Sequence, residues 1–165
     1  MPQPWEKHYP KGIRWDCEIP AGTLPGLISR GARDHGSRTV IDFRDREITF
    51  NDLAARVDIA AAAFLRAGYG KDTSVALFLG NTPDHPVNFF GATKAGARIV
   101  HLSPLDGARA LSHKLADSGA RILITSNLAP LLAGALAFLD KGLLDRVIVC
   151  EDERWGESAN PLLPI

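Results

Sequence analysis

Four short apolar runs punctuate the later part of the chain: "SVALFL" (74–79), "RIVHLS" (98–103), "RILITS" (121–126) and "RVIVCE" (146–151). Each is nearly continuous in apolar side chains, the pattern of a parallel strand covered on both faces. Between them the apolar positions fall at helical spacing. Asn81-Thr82-Pro83 supplies a cap and a proline for a first turn, Val87 and Phe90 face inward, and Gly96 stands where a left-handed terminator is wanted. The next segment places Ala108, Leu111 and Leu115 on one stripe and ends at Gly119. A third carries Leu131, Leu132, Ala135, Leu136 and Leu139 and stops near Gly142. The phrase Gly-Ala-Arg-Ile enters two of the strands, with Ala97 and Ala120 at an offset of 23. That offset is close to the minimum length of a βαβ unit, so the echo marks a crossover helix entering the next strand. The sequence around the phrase does not repeat, which argues against a solenoid.

Upstream the period changes. "TVIDF" and "EITF" flank the polar turn "RDR" and predict an antiparallel hairpin, with Ile41 and Phe43 on one strand facing Ile48 and Phe50 on the other. One amphipathic helix is predicted from about Thr23, carrying Leu24, Leu27 and Ile28. A second runs from about Asn51, with Leu53, Val57, Ala60, Ala61, Phe64 and Leu65 inward, and closes at Gly68. The organisation expected is therefore an extended aromatic arm over 1–22, an α/β unit over 23–152 and a tail or linker over 153–165. The fold class is α/β, a predominantly parallel sheet with helices on both faces, preceded by a hairpin.

Composition narrows the functional classes. The chain has 165 residues, enough for one ordinary domain or a piece of a larger one. Nineteen basic residues balance nineteen acidic ones, so no net field draws nucleic acid or an anionic membrane surface. The longest apolar runs, "IAAAAFL" and "LLAGALAFL", are too short to cross a bilayer. No apolar stretch follows the early lysines, so no signal peptide is expected. Cys17 and Cys150 stand alone and read as reduced cytosolic thiols.

The search for chemistry returns little. There is no phosphate-binding G-x-x-x-x-G-K-[ST], and the loop "GNTPDH" lacks the glycines that let backbone amides wrap a phosphate. "GYGKDT" follows a helix and precedes a strand, the reverse of a dinucleotide fingerprint, and reads as a helix terminus. His101 reads as a hydrogen-bonded core or wall residue, because no second ligand lies at metal-binding spacing in the sequence. Asp45, Asp52, Asp58, Asp72 and Asp106 read as solvated surface. A ligand, if any, belongs at the carboxyl ends of the parallel strands. There the sequence places Asn81, Thr82, Asp84 and His85 after the first strand, Ser103 and Asp106 after the second, and Ser126 and Asn127 after the third. All have local work as caps and turns, and none is assigned as catalytic, cofactor-binding or metal-binding.

Several segments in order resemble the N-terminal region of long-chain fatty-acid CoA ligases, members of the AMP-forming acyl-activating superfamily. They are Pro4-Trp5 with Tyr9-Pro10, Leu79 to Pro83, the Lys94-Ala-Gly-Ala entry into a strand, and Asp117-Ser-Gly-Ala. The resemblance runs from Pro4 to about Asp152. Gly80, Ser103 and Ala110 depart from residues common in that family. "HLSPLDGARALSHKLADSGA" is similar to a subgroup that activates dicarboxylic or other medium-to-long-chain acids.

The resemblance implies a parent enzyme in which a carboxylate attacks the α-phosphate of MgATP to give an acyl-adenylate, which the CoA thiol then converts to a thioester. ATP, Mg and CoA would serve the parent. The family's Ser/Thr/Gly-rich phosphate loop and catalytic Lys match no position in these residues, so the expectation is an inactive N-terminal portion that binds no cofactor. Its expected partners are the remainder of the ligase chain and, through a sheet edge and the aromatic arm, a second copy. A cytoplasmic location is expected, with peripheral contact of the parent with a membrane left open. The rival reading is a free-standing flavodoxin-like binding or signalling module.

Overall fold

The computed structural model describes residues 4–158 and 160–165. Residues 1–3 of the expected arm and Ala159 of the expected tail lie outside the described residues. The arm contains one 3-10 turn, Glu6–His8, and Trp5, Tyr9 and Trp15 are all exposed.

Helix α1 (Leu24–His35) begins where Thr23 accepts a hydrogen bond from the Gly26 amide at 3.2 Å. Of its residues only Ile28 is buried, and Leu24 and Leu27 are about half exposed, contrary to the predicted stripe. The cause is Gly31. A Cβ there would stand 2.5 Å from the Phe50 ring, so the face carrying Ile28 and Gly31 takes the contact and Leu24 and Leu27 fall at its margin.

Strands β1 (Thr39–Phe43) and β2 (Arg46–Thr49) form the predicted hairpin, pairing Ile41 with Ile48 and Phe43 with Arg46. Arg44 and Asp45 turn the corner with φ of 51° and 58°, the left-handed pair of a type I′ turn. Phe50 is not in the strand as expected. It opens helix α2 (Phe50–Arg66), because Thr49 and Asp52 form a reciprocal capping box at 3.2 Å in each direction. Asp52 is thus a cap rather than simple solvated surface. Leu53, Val57, Ala61 and Phe64 form the buried stripe of α2, while Leu65, one position off it, is 58% exposed.

Strands β3 (Ser74–Phe78), β4 (Arg98–His101), β5 (Ile122–Ser126) and β6 (Arg146–Cys150) form a parallel sheet in the order β4-β3-β5-β6. Every residue of β3 and β5 is buried, which explains their unbroken apolar sequence. Helices α2 and α3 (Asp84–Lys94) pack on one face around Val75, Leu77, Ala92 and Ile124. Helices α4 (Ala108–Ser118) and α5 (Ala129–Asp140) pack on the other around Phe78, Leu111, Leu123 and Ala135. The crossover helices end, as predicted, against Gly96, Gly119 and Gly142, all at positive φ.

Three details of the helix readings are corrected. Position Pro83 occupies the N-cap of α3 and no side chain caps it, so Asn81 and Thr82 do not serve as predicted. Ala108 is exposed at the start of α4. In α5 the buried face runs through Leu131, Ala135 and Phe138, at spacings of four and three, which leaves Leu136 42% exposed.

A third core cluster, Ile28, Ile48, Leu53, Val57 and Trp155, joins the hairpin and α1 to α2. The seam between α2 and α3 is close: a Cβ on Gly91 would lie 2.6 Å from the Ala60 Cβ and 3.3 Å from the Ala61 amide nitrogen. Among the described residues no helix is long and apolar enough to cross a membrane.

The turn supplies a test. Asp45 holds a left-handed backbone that glycine adopts without a steric penalty. Asp45→Gly is expected to raise stability by about 0.5–1 kcal/mol, read as a higher urea midpoint at unchanged m-value.

Candidate functional site

The carboxyl ends of β3, β5 and β6 gather the polar side chains that the sheet buries. Following β5, Asn127 is 2% exposed and fully engaged. Its Oδ1 accepts from the Asp152 amide at 2.8 Å, and its Nδ2 donates to Glu153 at 2.8 Å. Its backbone bridges Cys150 on one side and Leu163 on the other. The residues after Trp155 therefore return across the sheet end, where Leu162 pairs with Leu128.

Following β6, a short 3-10 turn (Asp152–Trp155) carries two buried groups. Asp152 is 1% exposed and its Oδ2 accepts from Arg44 Nη1 at 2.9 Å, tying the hairpin turn to the end of the sheet. Gly156, with φ of 116°, passes against the Arg44 side chain. The Trp155 indole Nε1 donates to Asp84 Oδ2 at 2.8 Å, so the first residue of α3 is held by the same turn. Burial pushes the Asp84 carboxyl above its ordinary range, against the indole hydrogen bond and the Arg154 charge, which lower it. Arg56 and Arg154 both lie over the Trp155 ring, at 5.1 and 5.4 Å from its centroid.

A solvent-open groove of about 690 Å³ runs beside β6, with Arg56, Ile59, Asp84, Asn88, Cys150 and Trp155 in its wall. Burial, and next the nearby Asp84, push the Cys150 thiol up to about 12, so it is a thiol rather than a nucleophilic thiolate at neutral pH. A smaller cavity of about 340 Å³ lies between the hairpin and the start of α3, lined by Asp42, Asn81, Thr82 and His85 among others.

The remaining sequence candidates divide. His85 meets His101 at 3.3 Å between ring nitrogens, and the Phe89 ring flanks His101 at 5.5 Å. His101 is exposed at the end of β4, not a core residue, and its pKa is lowered by desolvation and then by His85. Ser103 accepts from the Leu105 amide as a turn residue, and Asp106 pairs with Lys114. Asp58 pairs with Lys94. Among the described residues, four buried side-chain polar atoms have no partner: Thr82 Oγ1, Thr125 Oγ1, Ser126 Oγ and Asp152 Oδ1. All four belong to residues at the carboxyl ends of strands or just beyond them. No group of three or more His, Cys, Asp or Glu side chains there or elsewhere among the described residues could hold a metal ion.

Sequence reasoning missed Arg44, Asp152 and Trp155, because their partners lie 108 and 71 residues away along the chain. An acidic residue at the end of the expected α/β unit and an aromatic residue at the start of the expected tail, both just after a strand, were the signal available.

The profile of the AMP-binding enzyme family matches residues 28–161. The chain belongs to that family. Within it, the chain is 28% identical over 148 residues to a long-chain-fatty-acid–CoA ligase of Bacillus subtilis, covering 89% of this chain and 26% of the relative. It is 40% identical over 153 residues to a protein of the same name from Escherichia coli O157:H7, covering 90% and 27%. Among solved structures, a long-chain-fatty-acid-CoA ligase from Archaeoglobus fulgidus superposes with a TM-score of 0.72 at 22% identity, over 81% of this chain and 28% of that one. The N-terminal domain of FACL13 from Mycobacterium tuberculosis gives 0.71 at 22% identity, over 88% and 38%. At those identities the structural likeness speaks for the fold alone. The chain spans about a quarter of the length of the curated relatives it matches.

Two outcomes test the site's energetics. Arg44→Ala leaves a buried carboxylate without its cation and is expected to cost about 3 kcal/mol, with the Asp152→Asn background recovering part of the loss in a double-mutant cycle. Asp84 has a raised folded pKa, so it opposes folding once ionised: stability falls as pH rises from about 4, the unfolded value, through the raised folded value. Asp84→Asn keeps an acceptor for Trp155 and is expected to flatten that part of a denaturation-versus-pH profile.

Proposed function

We propose that this chain is the N-terminal portion of an AMP-forming long-chain or medium-chain fatty-acid CoA ligase. In the parent, ATP, Mg and CoA would serve the adenylation and thioester steps. What supports the reading is the run of matches to long-chain-fatty-acid–CoA ligases over about nine-tenths of this chain and about a quarter of theirs. The structural role fits the carboxyl-end network, where buried carboxylates are held by Arg44 and Trp155 rather than presented to a ligand. The chain supplies part of a framework, and the phosphate-handling groups come from elsewhere in the parent. A cytoplasmic parent that acts on the carboxyl group of a fatty acid is the corresponding proposal for location and substrate.

The test is direct. Pyrophosphate exchange and acyl-CoA formation, assayed with palmitate and with a dicarboxylic acid, are expected from the full-length parent and not from these 165 residues. Calorimetry on the chain alone is expected to show ATP, AMP and CoA each binding more weakly than about 1 mM. Exchange catalysed by the chain itself, or a parent without it, overturns the reading.

Self-association belongs to the same proposal. In β6, Arg146 and Cys150 bond toward β5, so by the parity of a parallel ladder Val147 and Val149 direct their backbone groups outward from the sheet. With the exposed arm residues Trp5, Tyr9 and Trp15, that edge offers a second copy a pairing surface. Light scattering is expected to show a dimer or larger species at micromolar concentration, weakened by removing residues 1–18. A monomer at high concentration counts against it.

A further inference from the structure

The sequence places His85 and His101 sixteen residues apart, on different elements, with nothing to join them. The fold brings them to one place. His85 sits in the first turn of α3 and His101 ends β4, where the next residue, Leu102, is fixed by the hydrogen bond its amide donates to the Leu77 carbonyl at 2.9 Å. The two rings are nearly parallel, 21° apart, with Nε2 of His85 3.3 Å from Nδ1 of His101. Phe89, one helical turn beyond His85, flanks His101 from the side. The pair is therefore held by a strand and a helix that pack against each other, and does not depend on the conformation of a loop.

The separation has a chemical meaning. In a four-coordinate site with metal–nitrogen bonds of about 2.0–2.1 Å, two imidazole nitrogens stand about 3.3–3.4 Å apart, the ion lying about 1.2 Å off the line between them. We propose that His85 and His101 form a two-ligand site for a borderline divalent transition metal, such as Zn²⁺ or Ni²⁺, with water completing the coordination. The ion takes the place of the proton shared along the N–H···N contact. That proton moves to the other nitrogen of its own ring, which frees both facing nitrogens to ligate. His101 is solvent-exposed, so the ion has a route in, and His85 borders the 340 Å³ cavity whose wall also carries the Asp42 carboxylate. Imidazole donors select this class over hard cations, so Mg²⁺ is a discriminating control. The site is independent of the adenylation chemistry proposed above.

The full 165-residue chain is titrated with ZnCl₂ by calorimetry, with NiCl₂ and MgCl₂ in parallel. One Zn²⁺ or Ni²⁺ per chain at micromolar affinity is expected, and no heat from Mg²⁺. His85→Gln and His101→Gln are each expected to weaken binding at least about tenfold, while His113→Gln leaves it unchanged. In ¹⁵N spectra of the unsubstituted protein, the ring nitrogens of His85 and His101 should shift together with added Zn²⁺, and those of His35 and His113 should not. The spectra decide the matter if a variant fails to fold. Affinity indifferent to both substitutions, equal loss in His113→Gln, or ring shifts spread over all histidines overturns the site.

Discussion

A carboxylate 1% exposed to solvent sets the terms for this structure. Asp152 lies at the end of the sheet, and stripping its water costs several kcal/mol unless a cation answers it. The cation is Arg44, which reaches it from a hairpin turn whose two central residues both hold left-handed backbone. One oxygen is answered and Oδ1 has no partner, so the contact works as a register pin more than as a large net stabiliser. The hairpin cannot slide along its two strands without pulling the guanidinium away. The Asp152 amide is held at the same time by Asn127, so hairpin, β5 and the segment after β6 meet at one residue.

The parallel sheet was plain in the sequence because its strands are buried on both faces and so lose the polar alternation that would blur them. β3 and β5 show this most fully, and the crossover helices ended at the glycines that were named. What the pattern did not reveal was rotation. Leu24, Leu27, Leu65 and Leu136 are as apolar as their buried neighbours, and only the contact surface decides which leucine turns outward. Gly31 receiving the Phe50 ring made that choice for α1. Phe50 reads equally well as a last strand residue or a first helical one until the Thr49–Asp52 box settles the boundary.

The polar end of the sheet was legible as a location and opaque as a network. Asn127 and Asp84 stood where strand ends put them, yet their bonds were invisible. Hydrogen-bond partners so distant in sequence leave no periodic trace, since no local spacing encodes them. His101 shows the same limit from the other side: an apolar strand sequence implied a core or wall residue, while β4 is an outer strand whose end opens to solvent.

The glycine at the α2–α3 seam carries a mechanical consequence. With no side chain at Gly91, the two helix axes approach until the Ala60 methyl meets bare backbone, and the surrounding alanines leave nothing that could compress or swing aside. A contact built from groups without rotamers has no soft mode. Helix α2 is fused through its cap to the hairpin, and α3 begins beside the end of β3. A tilt of one helix therefore carries the other with it, as through a welded strut.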